Sequence, residues 1–147
     1  MTLGVYKLDL ISTPVGLGVV CDSTIPKDAF VVEYVGEVLL GVDTQKRVDR
    51  RYQVELKTKA IWDGLTDVFI DADRCGNESR FVNHACRLNC GVFELEWTNT
   101  ARLGIFAKED IPPLRELTIC YRKANLSLFT CMRARKLHLK APVVLNS

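Results

Sequence analysis

The sequence predicts one mainly β domain with very little helix, and three observations point to this class. Its 147 residues, 48% of them hydrophobic, suffice for one domain with its own core. Short runs of β-branched and aromatic residues alternate with turn-forming Gly, Pro, Asn and Asp. The run Tyr52–Leu56 alternates strictly between apolar and polar residues, which is typical of a strand with one wet face.

Turn signals separate seven predicted strands along the chain. One segment, Asp43–Arg51, is a predicted helix with Asp43 as its N-cap and a polar surface throughout. The predicted strands are Val5–Ile11, Phe30–Val35, Tyr52–Leu56, Val68–Ile70, Val92–Trp97, Ala101–Phe106 and Glu116–Tyr121.

Charge divides the chain into two regions near Arg122. Residues 122–147 hold six basic residues and no acid, so a net charge of +2 for the whole chain leaves 2 − 6 = −4 for residues 1–121. We therefore expect a domain over residues 1–121 and a basic C-terminal tail over residues 122–147. A mildly acidic domain suits a basic peptide partner.

Six cysteines are spread through the sequence without a Cys-x-x-Cys pair. Because no signal peptide is recognisable and the apolar runs are short, we expect an intracellular protein with reduced thiols that does not enter a membrane. Cys75, His84, Cys86 and Cys90 come nearest to a metal cluster, but their spacing fits no common zinc module. A small structural metal domain on these four residues stays open as an alternative.

Three segments could carry chemistry. Gly16-Leu17-Gly18 lacks the third glycine and the helix of a nucleotide-binding fingerprint, and by itself indicates a hairpin turn. The segment 80–90 is dense in Asn, His and Cys, too polar for a strand and too short for a capped helix. Glu116–Tyr121 ends a predicted apolar strand on a tyrosine.

These segments, in this order, resemble the SET-domain family of protein lysine methyltransferases. Gly16-Leu17-Gly18 resembles the family's Gly-x-Gly turn, and Tyr34–Glu37 its Tyr-x-Gly strand end. Arg80–Asn89 resembles its Arg-Phe-x-Asn-His-x-Cys loop, and Glu116–Tyr121 its Glu-Leu-Thr-x-x-Tyr element. The similarity covers about residues 3–121 and is nearest to the subgroup that modifies histone tails in transcribed chromatin.

The resemblance implies the SET β-fold, several small curved sheets with a C-terminal pseudoknot that brings Asn83 and His84 close to Tyr121. It implies transfer of a methyl group from S-adenosylmethionine to a lysine of a histone tail or other basic peptide, in the nucleus and on chromatin. Tyr121 and Tyr52 are the catalytic residues that it implies. The implied cofactor-binding residues are Gly16, Leu17, Gly18, Tyr34, Tyr52, Arg80, Phe81, Asn83 and His84.

Some positions depart from the family pattern. Leu17 replaces the usual aromatic residue of the Gly-x-Gly turn, and Val15 replaces a usual basic residue. Beyond Tyr121 the sequence contains a single cysteine, Cys131, so we expect neither the family's zinc-binding post-SET segment nor stoichiometric zinc. The basic tail could cover the lysine channel, contact nucleosomal DNA or be disordered. A catalytically weak or inactive SET-like module that binds cofactor or peptide in chromatin is the alternative function.

Overall fold

The structure, a computed structural model, describes residues 6–57, 59, 63–97, 100–120 and 143–144. Within these residues the chain forms eleven strands, one turn of α-helix and one short 3-10 helix. The helical elements are α1 (Gly41–Thr44) and the 3-10 helix Glu78–Phe81. The strands are β1 (Leu8–Thr13), β2 (Gly16–Cys21), β3 (Phe30–Tyr34), β4 (Glu37–Leu40), β5 (Gln53–Glu55), β6 (Val68–Asp71), β7 (Asn83–His84), β8 (Cys90–Trp97), β9 (Thr100–Ala107), β10 (Thr118–Ile119) and β11 (Val143–Val144).

The described strands form four small sheets. β1 and β2 make a hairpin, and β8 and β9 make a second hairpin whose outer edge pairs with β3 in the order β3-β9-β8. A four-stranded sheet has the order β11-β5-β6-β4, and β7 pairs with β10. The mainly β class and the several small sheets predicted from the sequence are therefore confirmed among the described residues.

The C-terminal segment 116–119 lies between two earlier parts of the chain. Its Leu117 N–H donates to the carbonyl of Val19 in β2 at 2.8 Å. β10 pairs in parallel with β7, with Ile119 opposite His84. The Ala85 N–H then donates to the Ile119 carbonyl at 3.2 Å. This is the approach of distant segments that the predicted pseudoknot requires.

One hydrophobic core joins the sheets to this segment. Val19, Leu103, Ile105, Leu117 and Ile119 are all at most 1% exposed and belong to one cluster. They come from β2, β9 and the segment 116–119, so apolar burial holds the C-terminal segment in place together with its backbone hydrogen bonds.

The predicted helix over Asp43–Arg51 is wrong in extent and in its cap. Helix α1 is one turn that begins after Leu40, and it has no side-chain cap. The segment offers no apolar face to bury, and a short helix without a buried face is not stable. Instead the Arg47 guanidinium forms an ion pair with Glu37, outside the segment in β4, at 3.0 Å.

The interpretation of the segment 80–90 as neither strand nor helix holds for residues 82 and 85–89 but is wrong for the others. Asn77 caps the 3-10 helix by accepting a hydrogen bond from the Ser79 N–H at 3.1 Å. Asn83 and His84 then form β7 because a partner strand, β10, lies beside them. A strand this polar is stabilised by its neighbour, which local sequence does not reveal.

The predicted strand Glu116–Tyr121 is shortened to Thr118–Ile119 within the described residues. Tyr121, Cys131 and the other residues of 121–142 lie outside the described residues. The division at residue 121 and the roles suggested for the tail therefore stay predictions. Among the described residues, no helix is long and apolar enough to cross a membrane.

Candidate active site

A cavity of about 160 Å³ lies where the three chemistry-bearing segments meet. Ligand pockets usually enclose about 300–1,000 Å³, so the space that the described residues enclose is smaller than an ordinary ligand pocket. Its wall contains seven of the nine predicted cofactor-binding residues, namely Gly16, Leu17, Tyr34, Tyr52, Arg80, Phe81 and Asn83.

The Gly16–Gly18 segment forms the end of the β1–β2 turn and the start of β2. Gly16 has a φ of 115°, a conformation that favours glycine. A Cβ on Gly18 would lie 2.7 Å from the Glu116 Oε1 atom and 2.8 Å from Thr13, so this position admits no larger residue without displacement. Gly18 therefore allows close packing against Glu116. It does not belong to the cavity wall.

Asn83 links all three segments through one side-chain amide. Its Nδ2 donates to the Leu17 carbonyl at 2.9 Å and to the Glu116 Oε1 atom at 2.8 Å. Both amide hydrogens are then used within the protein. The Oδ1 atom is the part of this side chain that can accept a hydrogen bond from a ligand.

His84 lies behind the cavity and not in its wall. It is 4% exposed and pairs with Ile119 across the β7–β10 ladder. Ile119 does line the cavity, two residues before Tyr121. The predicted contact of the His84 backbone with a cofactor stays a prediction, and the position of Tyr121 lies outside the described residues.

Asn89 is a structural residue that is not among the predicted site residues. Its Nδ2 donates to the Glu116 carbonyl at 2.9 Å, and its Oδ1 accepts from the Thr118 N–H at 2.9 Å. It is 5% exposed. The buried Asn89 side chain thus bonds the backbone of the segment 116–119 much as a neighbouring strand would. Asparagine side chains often bond backbone groups, so an asparagine at the end of the polar loop was the sequence signal for this role.

An aromatic wall forms the other side of the cavity. The Arg80 guanidinium lies 5.1 Å from the Tyr52 ring centroid and 4.7 Å from the Phe81 centroid. Its Nη1 atom donates to the carbonyls of Ala72 and Asp73. The carbonyl of Tyr52 accepts a hydrogen bond from the Tyr34 hydroxyl at 2.8 Å.

Arg51 adds a second cation to the Tyr52 ring, 5.3 Å from its centroid. Its guanidinium pairs with Asp49, and this hydrogen bond holds the pKa of the Asp49 carboxyl below its ordinary value. Arg51 and Arg80 are the cations of the described cavity wall, which contains no acidic residue. The wall therefore combines aromatic rings with positive charge.

Five cavity residues were not predicted as binding residues. For Val54 and Val92 the sequence contains no sign of binding beyond the periodicity of a strand. Only the pairing of distant strands brings these two residues to the cavity. Arg51 follows a run of charges that indicates a solvated surface. The full set is Val15, Arg51, Val54, Val92 and Ile119.

The metal-domain alternative has no support among the residues that the structure describes. In this part of the chain, no three or more His, Cys, Asp or Glu side chains are grouped so that they could hold a metal ion. Cys75 is exposed, while Cys90 is buried and its burial raises the pKa of the thiol to about 12.

Comparison with known proteins identifies the architecture. The family model of the SET domain matches residues 16–122. A histone-lysine N-methyltransferase described as H3 lysine-36 specific, from Schizosaccharomyces pombe, is 40% identical over 107 residues, covering 72% of this chain and 13% of the relative. ASHR3 of Arabidopsis thaliana, also named a histone-lysine N-methyltransferase, is 33% identical over 117 residues, covering 79% of this chain and 24% of the relative.

Mouse NSD3, a third histone-lysine N-methyltransferase, is 36% identical over 106 residues, covering 72% of this chain and 7% of the relative. The match thus spans less than a quarter of the length of each of these three relatives.

Proposed function

The chain belongs to the SET domain family, and on this premise we propose that it is a protein-lysine N-methyltransferase that uses S-adenosylmethionine and acts on a histone tail. One observation carries the proposal. Asn83 ties the Gly16–Gly18 turn to the C-terminal segment at a cavity that also has an aromatic wall. The names of the relatives support a histone substrate and, with it, a nuclear and chromatin location.

The residues of the cavity fit the methyl donor that the family implies. S-adenosylmethionine supplies a methyl group on a sulfonium, and its amino and adenine groups donate hydrogen bonds. The Asn83 Oδ1 atom and the open space at Gly16, where an added Cβ would meet nothing within 4 Å, suit such a ligand. Tyr34, Arg80 and Phe81 would complete its pocket, with Gly18 and His84 supporting it from behind.

Methyl transfer needs a neutral lysine amine, and the protein must supply it. A free lysine has a pKa near 10.4, so its neutral form at pH 7 costs about 4.6 kcal/mol at 1.36 kcal/mol per unit. A narrow aromatic channel lowers this cost, because it desolvates the ammonium. We assign Tyr52 to the wall of that channel, since its ring borders the cavity between two guanidinium groups.

Tyr121 is assigned the orientation of the amine through its hydroxyl. It follows Ile119 by two residues, and Ile119 borders the cavity. In this role the Tyr121 hydroxyl would accept a hydrogen bond from the amine and align the amine lone pair for in-line attack. We assign the basic tail a contact with nucleosomal DNA, because it contains six Lys and Arg residues and no acidic residue.

Calorimetric titration with S-adenosylmethionine tests the proposal. We expect binding to the wild-type chain, and Asn83→Ala should weaken it by about 1–3 kcal/mol, because a desolvated hydrogen-bond partner is lost. Asp22→Ala, at an exposed position outside the cavity wall, is the control and should bind as the wild type does. Absence of heat and of a thermal shift at millimolar cofactor would contradict the proposal.

A binding module without transfer activity is the second candidate, and the exposed mouth of the cavity favours it. Val15 and Leu17 are each 45% exposed there, where the family pattern has a basic and an aromatic residue. Radiolabel transfer to core histones separates the two candidates. Cofactor binding with no transfer to any histone would favour the module.

A further inference from the structure

A row of polar side chains crosses the sheet next to Tyr52. Glu37 of β4 and Gln53 of β5 lie opposite Asp71 of β6, one on each side of it. Asp71 and Gln53 are both 0% exposed, and neither belongs to the described cavity wall. Charged side chains are almost never fully buried without partners, so the groups that bond the Asp71 carboxylate must offset its burial.

The two oxygens of the Asp71 carboxylate hold two different segments. Oδ2 accepts a hydrogen bond from the Gln53 Nε2 atom at 3.1 Å, and Oδ1 accepts one from the Asp73 N–H at 2.8 Å. The second bond closes a turn over residues 71–73 of the kind that aspartate favours. Gln53 directly follows Tyr52 in the chain. One buried carboxylate therefore connects the turn 71–73 to the start of β5.

The turn 71–73 holds Tyr52 in two ways. The Ala72 N–H donates to the Tyr52 carbonyl at 3.1 Å, which fixes the backbone. The carbonyls of Ala72 and Asp73 accept hydrogen bonds from the Arg80 Nη1 atom at 3.1 Å and 2.9 Å. The Arg80 guanidinium in turn lies 5.1 Å from the Tyr52 ring centroid. Both the backbone of Tyr52 and a cation on its ring thus depend on this turn.

Close packing leaves the turn little room to move. A Cβ on Gly36 would lie 2.5 Å from the Asp71 carbonyl oxygen and 2.9 Å from the Ala72 nitrogen. The backbone at the Tyr-x-Gly strand end therefore packs directly on the turn. A change at the Asp71 carboxylate has to be taken up on the other side, towards Tyr52 and Arg80.

The buried amide of Gln53 is satisfied only on its donor side. Its Nε2 atom also donates to the Thr44 carbonyl at 3.2 Å, while its Oε1 atom is buried without a hydrogen-bond partner among the described residues. A buried acceptor that is left unsatisfied lowers stability. The pair of Asp71 and Gln53 is therefore better explained by where it places its neighbours than by the stability it adds.

We propose that Asp71 is a positioning residue, with Gln53 as its partner, and that the pair sets the place of the Tyr52 ring in the cavity wall. It acts through the turn 71–73 and through β5. The consequence for catalysis rests on the proposed function, in which Tyr52 is a wall of the lysine channel. A displaced ring leaves the amine misaligned for attack on the methyl group, and a displacement of about 1 Å can cost about a hundredfold in rate.

Fluorine NMR of the full chain tests the positioning directly. 3-Fluorotyrosine replaces the four tyrosines, and Tyr52→Phe identifies the Tyr52 signal. In Asp71→Asn, the new amide sets an N–H against another donor, either the Gln53 Nε2 atom or the Asp73 N–H. We expect the Tyr52 signal to move by more than its linewidth. An unmoved Tyr52 signal in a folded Asp71→Asn chain would overturn the proposal.

Thr44→Val is the matched control in the same buried cluster. Thr44 is 3% exposed, and its hydroxyl donates to the Gly41 carbonyl within α1. Both variants should lower the midpoint of urea unfolding, but only Asp71→Asn should move the Tyr52 signal. Equal movement in both variants would indicate general loosening and overturn the proposal. If Asp71→Asn does not fold, Gln53→Met takes its place, because it removes the amide and keeps the bond from Asp73 to Asp71.

Methyl transfer to a synthetic histone H3 tail peptide that contains lysine-36, chosen from the name of the S. pombe relative, tests the catalytic consequence. The kcat of the unlabelled protein should fall about tenfold or more in Asp71→Asn and less than about twofold in Thr44→Val. A displaced Tyr52 signal with unchanged kcat would overturn the proposal. Where the wild-type chain transfers no methyl group, a displaced signal in Asp71→Asn supports the positioning and contradicts the methyltransferase. An active wild-type chain with an unmoved signal in Asp71→Asn overturns the positioning alone.

Discussion

The two sides of the cavity are held by different forces. On one side, Asn83 and Asn89 connect backbone and side chains of three segments through four hydrogen bonds of 2.8–2.9 Å. On the other side, two guanidinium groups lie on the half-buried Tyr52 ring. Hydrogen bonds fix positions closely, while ring and cation contacts tolerate displacement. The two sides should therefore respond differently to substitution.

The largest effect should follow from removing Asn89. Asn89→Ala leaves the Glu116 carbonyl and the Thr118 N–H without their side-chain partners in a buried setting. The expected loss is about 2–6 kcal/mol of unfolding free energy, at about 1–3 kcal/mol for each group. Urea unfolding measures it. Arg87→Ala, at an exposed position of the same loop, is the control and should leave stability nearly unchanged, so equal losses in the two variants would contradict this assignment.

The next largest effect is expected at Tyr121, the proposed catalytic residue. Tyr121→Phe should lower turnover about a hundredfold, the effect typical of losing one well-placed polar group in the transition state. Cofactor affinity should stay nearly unchanged, because the role proposed for the hydroxyl is on the amine and not on the cofactor. A transfer assay and a binding titration measure the two quantities. Unchanged turnover would remove Tyr121 from the mechanism.

A smaller effect is expected on the aromatic side. Arg80→Lys keeps the charge but loses the planar group between Tyr52 and Phe81, and should lower stability by about 1–2 kcal/mol. Arg51→Lys is the matched variant. It should cost less, because Arg51 stacks on one ring and its side chain is 40% exposed. A larger loss for Arg51→Lys in urea unfolding would reverse this ranking.

The smallest effect concerns a thiol behind the hydrogen-bonded side. Burial raises the pKa of Cys90 from 9.0 to about 12, so the folded state retains a proton that the unfolded state releases. The stability that this provides is complete below pH 9.0 and declines as the pH rises towards 12. Cys90→Ala should therefore reduce the alkaline loss of stability, measured by urea unfolding between pH 8 and pH 10. An unchanged pH dependence would contradict it.

Alkylation at pH 8 gives an independent check of the same thiol. Exposed Cys75 should react with iodoacetamide in the folded protein while Cys90 stays unmodified. Mass spectrometry of tryptic peptides identifies the labelled site, and early labelling of Cys90 would contradict its burial.

The sequence predicted the mainly β class and most strands, because alternation of apolar and polar residues and the turn-forming residues are both local features of the sequence. Val92–Trp97 and Ala101–Phe106 fall inside β8 and β9, which differ from them only at their ends. Seven predicted cofactor residues lie in the cavity wall through the family motifs. By contrast, β7 and the role of Asn89 depend on partners 27 to 35 positions away. Local propensity carries no information on such pairing.

The helix over Asp43–Arg51 failed for a related reason. Its residues have adequate helix propensity, but propensity without a buried face stabilises little. Arg47 finds its partner in β4, and Asp49 pairs with Arg51 two residues away. These ion pairs favour the irregular conformation. Arg51, which borders the cavity, was therefore not recognised, because its segment resembles an ordinary charged surface.

The position of the segment 116–119 between β2 and the loop after β7 has a consequence for biosynthesis. Leu117 and Ile119 are needed to complete the core, and Ile119 to complete the cavity. A nascent chain that has emerged only as far as β9 exposes the apolar surface that Leu117 and Ile119 cover in the folded protein. Productive folding must then wait for the C-terminal segment, and premature contacts at this surface compete with it. A ligand of the cavity would bind only chains in which the segment 116–119 has been added to the fold. Binding of such a ligand therefore measures completed folding as well as function.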